Sequence, residues 1–231
     1  MVTNMDSSLR KAQSMQHSPL KALYRQTYYK RTVVMVGLDV KGAFDAAWWP
    51  CLLSNLRGLR CPKNLYNLTL NYFRDRVASL QANTHTVKRT DERLPQGSCC
   101  GPGFWNIMYD ALLDFNFFSH TKVIAFADDL AVLTKGKTPS EAEALANSDL
   151  AKIEKWAKDK MQFNESKSKA MLINRKRNTE SINIYINRRL EIVKEMKYLG
   201  IYFDSRLTFN THIKYLAENS TKLIQMLERS A

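Results

Sequence analysis

Long apolar runs are missing from this 231-residue sequence: every hydrophobic stretch is short and interrupted by charge, whereas a membrane-spanning helix needs about 20 consecutive apolar residues. The opening MVTNMDSSLRKAQ is polar where a secretory leader would be apolar, so the expectation is an intracellular protein, in nucleus or cytoplasm, with no membrane partner. Cysteine offers no metal centre. Cys51, Cys61, Cys99 and Cys100 lack the paired two-residue spacing of zinc sites, and the adjacent Cys99 and Cys100 suit neither a structural disulfide nor a closed metal site, so all four read as reduced thiols. The histidines are scattered too. His17, His85, His120 and His212 show no ligand spacing and give no nucleophile arrangement. No internal repeat and no low-complexity linker is seen.

The chain does have core-forming residues, 45% hydrophobic and 10% aromatic, enough for one large domain or two small ones. Its charge is +13 and unevenly placed. Residues 1–31 carry 6 basic and 1 acidic side chains, residues 32–150 carry 12 of each, and residues 151–200 carry 13 basic against 6 acidic. A neutral middle with basic flanks suits a polyanion such as nucleic acid, because each neutralised phosphate releases a counterion; a merely soluble basic surface fits as well.

The elements read as α+β. TVVMVGLDV, ending near Asp39, is the β-branched run of a strand covered on both faces. Helices are predicted over 46–60 and 62–74, separated at Cys61-Pro62, followed by strands or a hairpin over 77–93. LPQGSCCGPG is a punctuated turn that opens the helix FWNIMYDALLDF. VIAFA and LAVLT then make a hairpin with Asp128-Asp129 as its two-residue turn. Thr138-Pro139-Ser140-Glu141 is a capping box, and Ala142, Leu145, Ala146, Leu150, Ile153 and Ala157 give the helix it starts an apolar face. Strands follow near 168–174 and 182–186 and at KYLGIYFD, then a helix over about 211–229.

Asp39, Asp128 and Asp129 therefore stand at strand ends and would converge at one edge if their strands are neighbours. Clustered carboxylates repel unless divalent cations lie between them. Mg²⁺ takes such ligands, and a pair of ions about 3.5–4 Å apart clamps the oxygens of an in-line phosphoryl transfer. A solvated turn in which Asp is chosen for geometry is the alternative for the pair taken alone.

In order, GLDVKGAFDAAWWP, LPQGSCCGPGFWNIMYD, FADDLAVL, WAKDKMQFNESKSKAMLI and KYLGIYFD resemble motifs A to E of a reverse transcriptase, over roughly residues 32–220. The resemblance is to non-LTR, LINE-type retrotransposons, and within them to insect elements inserting in ribosomal DNA. It implies a polymerase palm, a ferredoxin-like antiparallel sheet with helices on one face, over 32–204, after a basic lead-in at 1–31 and before a C-terminal helix at 205–231 that starts a thumb. It implies an RNA template, a DNA primer and deoxynucleoside triphosphates as partners, and two Mg²⁺ ions, or Mn²⁺, as cofactors. Asp39 would ligate both ions with the Val40 carbonyl beside it; Asp128 would be the second main ligand and Asp129 a peripheral one. Phe44 matches the gate under the nucleotide sugar, Gln96 and Gly97 the close-approach turn, Lys167 a proton donor to leaving pyrophosphate, and Tyr198, Leu199 and Gly200 the primer grip. Trp48 and Trp49 read as packing, and Asn174-Arg175-Lys176-Arg177 as a loop near template–primer phosphates. Phe126 stands where many relatives have tyrosine. Two departures are expected to matter: little precedes motif A where a basic fingers region, or the remainder of a polyprotein, would hold the triphosphate, and little thumb follows. The expected function is RNA-directed DNA polymerisation; the alternative is a non-catalytic remnant that keeps the palm fold and binds nucleic acid weakly.

Overall fold

A computed structural model of the protein describes residues 32–42, 48–75, 77–81, 85–89, 98–113, 115, 117, 120–158, 160–174 and 181–230. Its centre is β1 (Thr32–Asp39), flanked by β5 (Asp129–Gly136) and β6 (Lys169–Ile173) in a sheet of order β4-β5-β1-β6-β9, with β4 at Thr121–Phe126 and β9 at Glu191–Ile192. All pairings are antiparallel except β6 with β9. The β-branched run does what its composition dictates. Val34, Val36 and Leu38 face one core with Leu130 and Val132, and Val33 and Met35 face the other with Ala131 and Leu133, each buried Val, Leu or Met side chain contributing roughly 1.5–3 kcal/mol.

Helices cover the first face: α1 (Trp49–Gly58), α2 (Lys63–Phe73), α3 (Gly101–Leu113) and α4 (Pro139–Ala157). The first begins later than the periodicity predicts, because Pro50 fits the first helical turn. Trp49 stacks on Phe73 at 5.9 Å while Trp48 is largely exposed, so the two tryptophans divide into packing and rim. Thr138 Oγ1 accepts from Glu141 N–H at 3.1 Å, and Glu141 Oε2 from Lys137 N–H at 2.6 Å, which starts α4 at the capping box. Ala142 and Ala146 then bring α4 against the sheet; a Cβ on Gly136 would lie 2.5 Å from Ala142 N, so β5 must end in glycine there.

The second face is covered by a hairpin, β10 (Glu195–Tyr198) and β11 (Ile201–Asp204), through Met196, Tyr198 and Phe203. Here the single strand expected for KYLGIYFD is corrected: Leu199 (φ +47°) and Gly200 (φ +80°) turn the chain back on itself. A continuous apolar run conceals a tight turn, and glycine at the second position makes it affordable. A two-stranded β2 (Val77–Gln81) and β3 (His85–Arg89) lies where a hairpin was expected. The expected strand at 182–186 shortens to β7 (Tyr185–Ile186), paired with β8 (Arg188–Arg189). The last helix, α5 (Asn210–Ser230), leaves Ile213, Leu223, Ile224 and Leu227 exposed. Among the described residues no helix is long and apolar enough to cross a membrane.

Candidate active site

The register of the central sheet brings the motif A and motif C carboxylates together. Asp39 and Asp129 are direct cross-strand partners, and Phe126 pairs with Asp129 across the adjacent hairpin. Asp129 is thus a strand residue, and the turn consists of Ala127 and Asp128 rather than Asp128-Asp129. Pairing of β5 with β1 extends one residue further than alternation alone suggests, and Ala127 takes φ +50° to accommodate it. Asp129 has its pKa raised, first by burial and then by repulsion from Asp128 and Asp39. All three charges therefore act on one small region.

That region opens into a cleft of about 420 Å³ lined by residues including Asp39, Asp129, Lys167, Lys197 and Tyr198. Residues 39, 129, 167 and 198 come from four separate motifs and meet only through the packing of the hairpin on the sheet. Asp128 stands on the exposed turn at its edge. The Tyr198 hydroxyl donates to Ile124 O at 3.4 Å, and burial followed by the Asp129 charge pushes its pKa up. Leu199 and Gly200 form the adjoining turn. Phe44, Gln96 and Gly97 lie outside the described residues, as do the 1–31 lead-in and Arg175 to Arg177.

Several positioning residues carry no sequence signal. Ser168, fully buried before β6, accepts from Asp39 N–H at 3.1 Å, and Asn164 N–H donates to Asp39 O at 2.7 Å. Together they fix the end of β1. Beneath the turn, Trp105 Nε1 donates to Ala127 O at 2.5 Å. One helical turn along α3, Tyr109 is buried with no hydrogen-bond partner for its hydroxyl among the described residues, and its pKa is raised by burial, then by Asp128 and Asp129. In sequence these are ordinary amphipathic-helix aromatics; only the packing puts them under the aspartates.

Among the described residues no three His, Cys, Asp or Glu side chains are drawn close enough to hold a metal ion. The electrostatic coupling of the aspartates reaches further than a ligand bond of about 2 Å, so the two observations describe different distances. Donor chemistry nonetheless fits a hard cation: the aspartates offer oxygen, and Val40 occupies the non-hydrogen-bonded position of its bridge with Phe163, with Lys41 N–H donating to Gln162 O beside it, which leaves the Val40 carbonyl out of the pairing.

An antiparallel sheet carrying acidic strand ends, helices on one face and a hairpin on the other defines the class as a polymerase palm. The reverse transcriptase (RNA-dependent DNA polymerase) family matches residues 3–203, and the chain belongs to that family. The match runs from the basic lead-in through the first four motifs and into the fifth. The chain is similar to a 115 kDa protein in the type-1 retrotransposable element R1DM of Drosophila melanogaster, 30% identical over 194 residues, 83% of this chain and 19% of that protein. It is also similar to the RNA-directed DNA polymerase from mobile element jockey of Drosophila funebris, 30% identical over 199 residues, 82% of this chain and 22% of that one. The chain thus spans about a fifth of the length of these relatives. A solved telomerase from Candida tropicalis, in complex with the TWJ fragment of telomeric RNA, shares the fold at TM-score 0.60 and 12% identity, over 91% of this chain and 37% of that chain.

Proposed function

We propose that the chain is the palm of an RNA-directed DNA polymerase that extends a DNA primer on an RNA template with deoxynucleoside triphosphates. The observation that carries this reading is the single cleft uniting Asp39, Asp129, Lys167 and Tyr198 in a chain of the reverse transcriptase family. Asp39, Asp128 and the Val40 carbonyl would hold two Mg²⁺ ions, with Asp129 peripheral. When bound, such ions stabilise the charge on the attacking and leaving oxygens of an in-line displacement. The protein's own residues supply the positioning. Ser168 and Asn164 hold Asp39 at the strand end, and Trp105 holds the turn that carries Asp128. Lys167, exposed on the cleft wall, is the proton donor to departing pyrophosphate. Tyr198, Leu199 and Gly200 align the primer end, Phe44 excludes a 2′-hydroxyl, and Gln96 and Gly97 approach the nucleotide.

The test is metal-dependent primer extension on an RNA template, with hybrid affinity across a salt series, for this chain and for one extended at its N-terminus. Positioning and electrostatics dominate phosphoryl transfer, so the palm alone is expected to bind hybrid at low salt and extend poorly, and the extended chain to be rescued. Extension by neither chain, with salt-insensitive or no binding, would leave the non-catalytic remnant as the correct reading.

A further inference from the structure

Tyr109, on α3, is 2% exposed, and its hydroxyl has no hydrogen-bond partner among the described residues. A polar group buried in that way costs the fold free energy, and phenylalanine would fill the same space without the cost. Two tryptophans fix the ring. Trp105, one helical turn earlier, meets it edge to face with centroids 5.1 Å apart, and Trp156 of α4 stacks on it at 6.4 Å.

The surroundings narrow the choice of acceptor for the phenolic proton. An indole N–H only donates, so neither tryptophan can take it. Trp105 Nε1 already donates to Ala127 O, and Trp156 Nε1 is itself buried with no partner among the described residues. The bond to Ala127 sets α3 beneath the turn that carries Asp128. After burial, the charge of Asp128 and then that of Asp129 raise the Tyr109 pKa, so the hydroxyl keeps its proton and meets the aspartates as a donor. Asp128 is exposed, and among the described residues no donor is bonded to its carboxylate. A carboxylate that ligates a cation is ordinarily hydrogen-bonded in turn by an outer group that fixes its orientation. On the helix side of the turn, Tyr109 is the group placed to do so.

Resting on the polymerase reading above, we propose that Tyr109 is a positioning residue of the cation site: its hydroxyl is the donor that fixes the Asp128 carboxylate when a divalent cation is bound, and it stays idle in the metal-free chain. The phenol touches neither cation nor nucleotide. It acts through Asp128, and the contribution therefore shows in metal affinity and leaves the stability of the metal-free fold alone.

The experiment uses the 231-residue chain, the single variants Tyr109→Phe, Asp128→Asn and Asp129→Asn, and the two double variants that join Tyr109→Phe to each aspartate change. Mn²⁺ alone is the probe. Its binding is followed by loss of the free-ion electron paramagnetic resonance signal, and melting is recorded in chelator and in excess Mn²⁺. Tyr109→Phe is expected to melt like the wild-type chain in chelator, to bind Mn²⁺ about tenfold more weakly, and to gain less melting temperature from Mn²⁺. Joined to Asp129→Asn it should keep that tenfold effect, and joined to Asp128→Asn it should add nothing. Wild-type Mn²⁺ affinity in Tyr109→Phe overturns the proposal. So does an effect that vanishes with Asp129→Asn and persists with Asp128→Asn, or a weaker affinity matched by a lower melting temperature in chelator, which is a packing defect. Mn²⁺ binding that falls in Asp128→Asn but not in Tyr109→Phe sinks this proposal alone. Mn²⁺ binding that needs both residues, in a chain that extends no primer even when lengthened at its N-terminus, sinks the polymerase reading alone, and a wild-type chain that binds no Mn²⁺ sinks both.

Discussion

Asp204 and Asp129 both stand at strand termini, and the molecule treats them in opposite ways. The Asp204 carboxylate accepts from the N–H groups of Arg206 at 3.0 Å, Thr208 at 3.1 Å and Phe209 at 2.7 Å, and from the Thr208 hydroxyl at 3.0 Å. Burial would raise its pKa; these donors outweigh it and hold the group below the usual carboxylate range. Asp129 has no such donors among the described residues; partial desolvation, with Asp128 and Asp39 adding repulsion, raises its pKa. One carboxylate is consumed by the fold, anchoring a loop in which Leu207 and Phe209 take φ of +55° and +60°. The other is a cost to the fold, as the proposed cation site would require.

The sharpest way to break the comparison is to neutralise the cluster. Asp39→Asn or Asp128→Asn should lower metal-dependent primer extension by about 10³-fold or more, in this chain or a longer one containing it, with the melting temperature kept. Asp129→Asn should lose less. Near-normal extension by the Asp39 variant would take that residue out of the site.

Stability should move in opposite directions for the two strand-end groups. Asp204→Asn replaces one carboxylate oxygen with an amide donor, so it loses the acceptor for two of the four hydrogen bonds and the charge that strengthens the other two, and should cost about 1–2 kcal/mol, discounted for a group that water partly reaches. Asp129→Asn relieves repulsion and should stabilise by under about 1 kcal/mol. Urea unfolding at pH 7 measures both, and equal destabilisation would erase the distinction.

The pH dependence follows with opposite signs. Asp204 has a lowered folded-state pKa, so its stabilisation is complete above the unfolded value of about 3.9 and fades as pH falls through the folded one. Asp129 has a raised folded-state pKa, so its contribution is present below the unfolded value and is lost as pH rises through the folded one. The acid limb of the stability curve should therefore flatten in Asp204→Asn, and the Asp129→Asn gain should be larger at pH 7 than at pH 3. An acid limb as steep as the wild-type one in Asp204→Asn would contradict the assigned hydrogen bonds.

The smallest effect belongs to Tyr109→Phe. Its hydroxyl is buried without a partner among the described residues, so deleting it should change stability by no more than about 0.5 kcal/mol, in contrast to the loss that follows when a satisfied hydroxyl is deleted. Thermal melting detects the difference, and a loss of about 2 kcal/mol would mean the hydroxyl is bonded to something.

By itself the sequence determined what is local. The apolar run of β1, the cap at Thr138, the break at Cys61-Pro62 and the order of five motifs all rest on periodicity, turn chemistry and spacing within short windows. Tertiary structure alone decided the register that sets Asp39 opposite Asp129, the one-residue shift that puts Ala127 in the turn, the folding of KYLGIYFD into a hairpin, and the placing of Ser168, Trp105, Tyr109 and Lys197 around the carboxylates. The reason is range and degeneracy. Side chains alternate with period two, so a strand's pattern gives its faces without saying where it stops or which residue it meets, and that choice is made by the burial of both faces at once. Ser168 reaches Asp39 across 129 residues of chain, and nothing in either neighbourhood records the other.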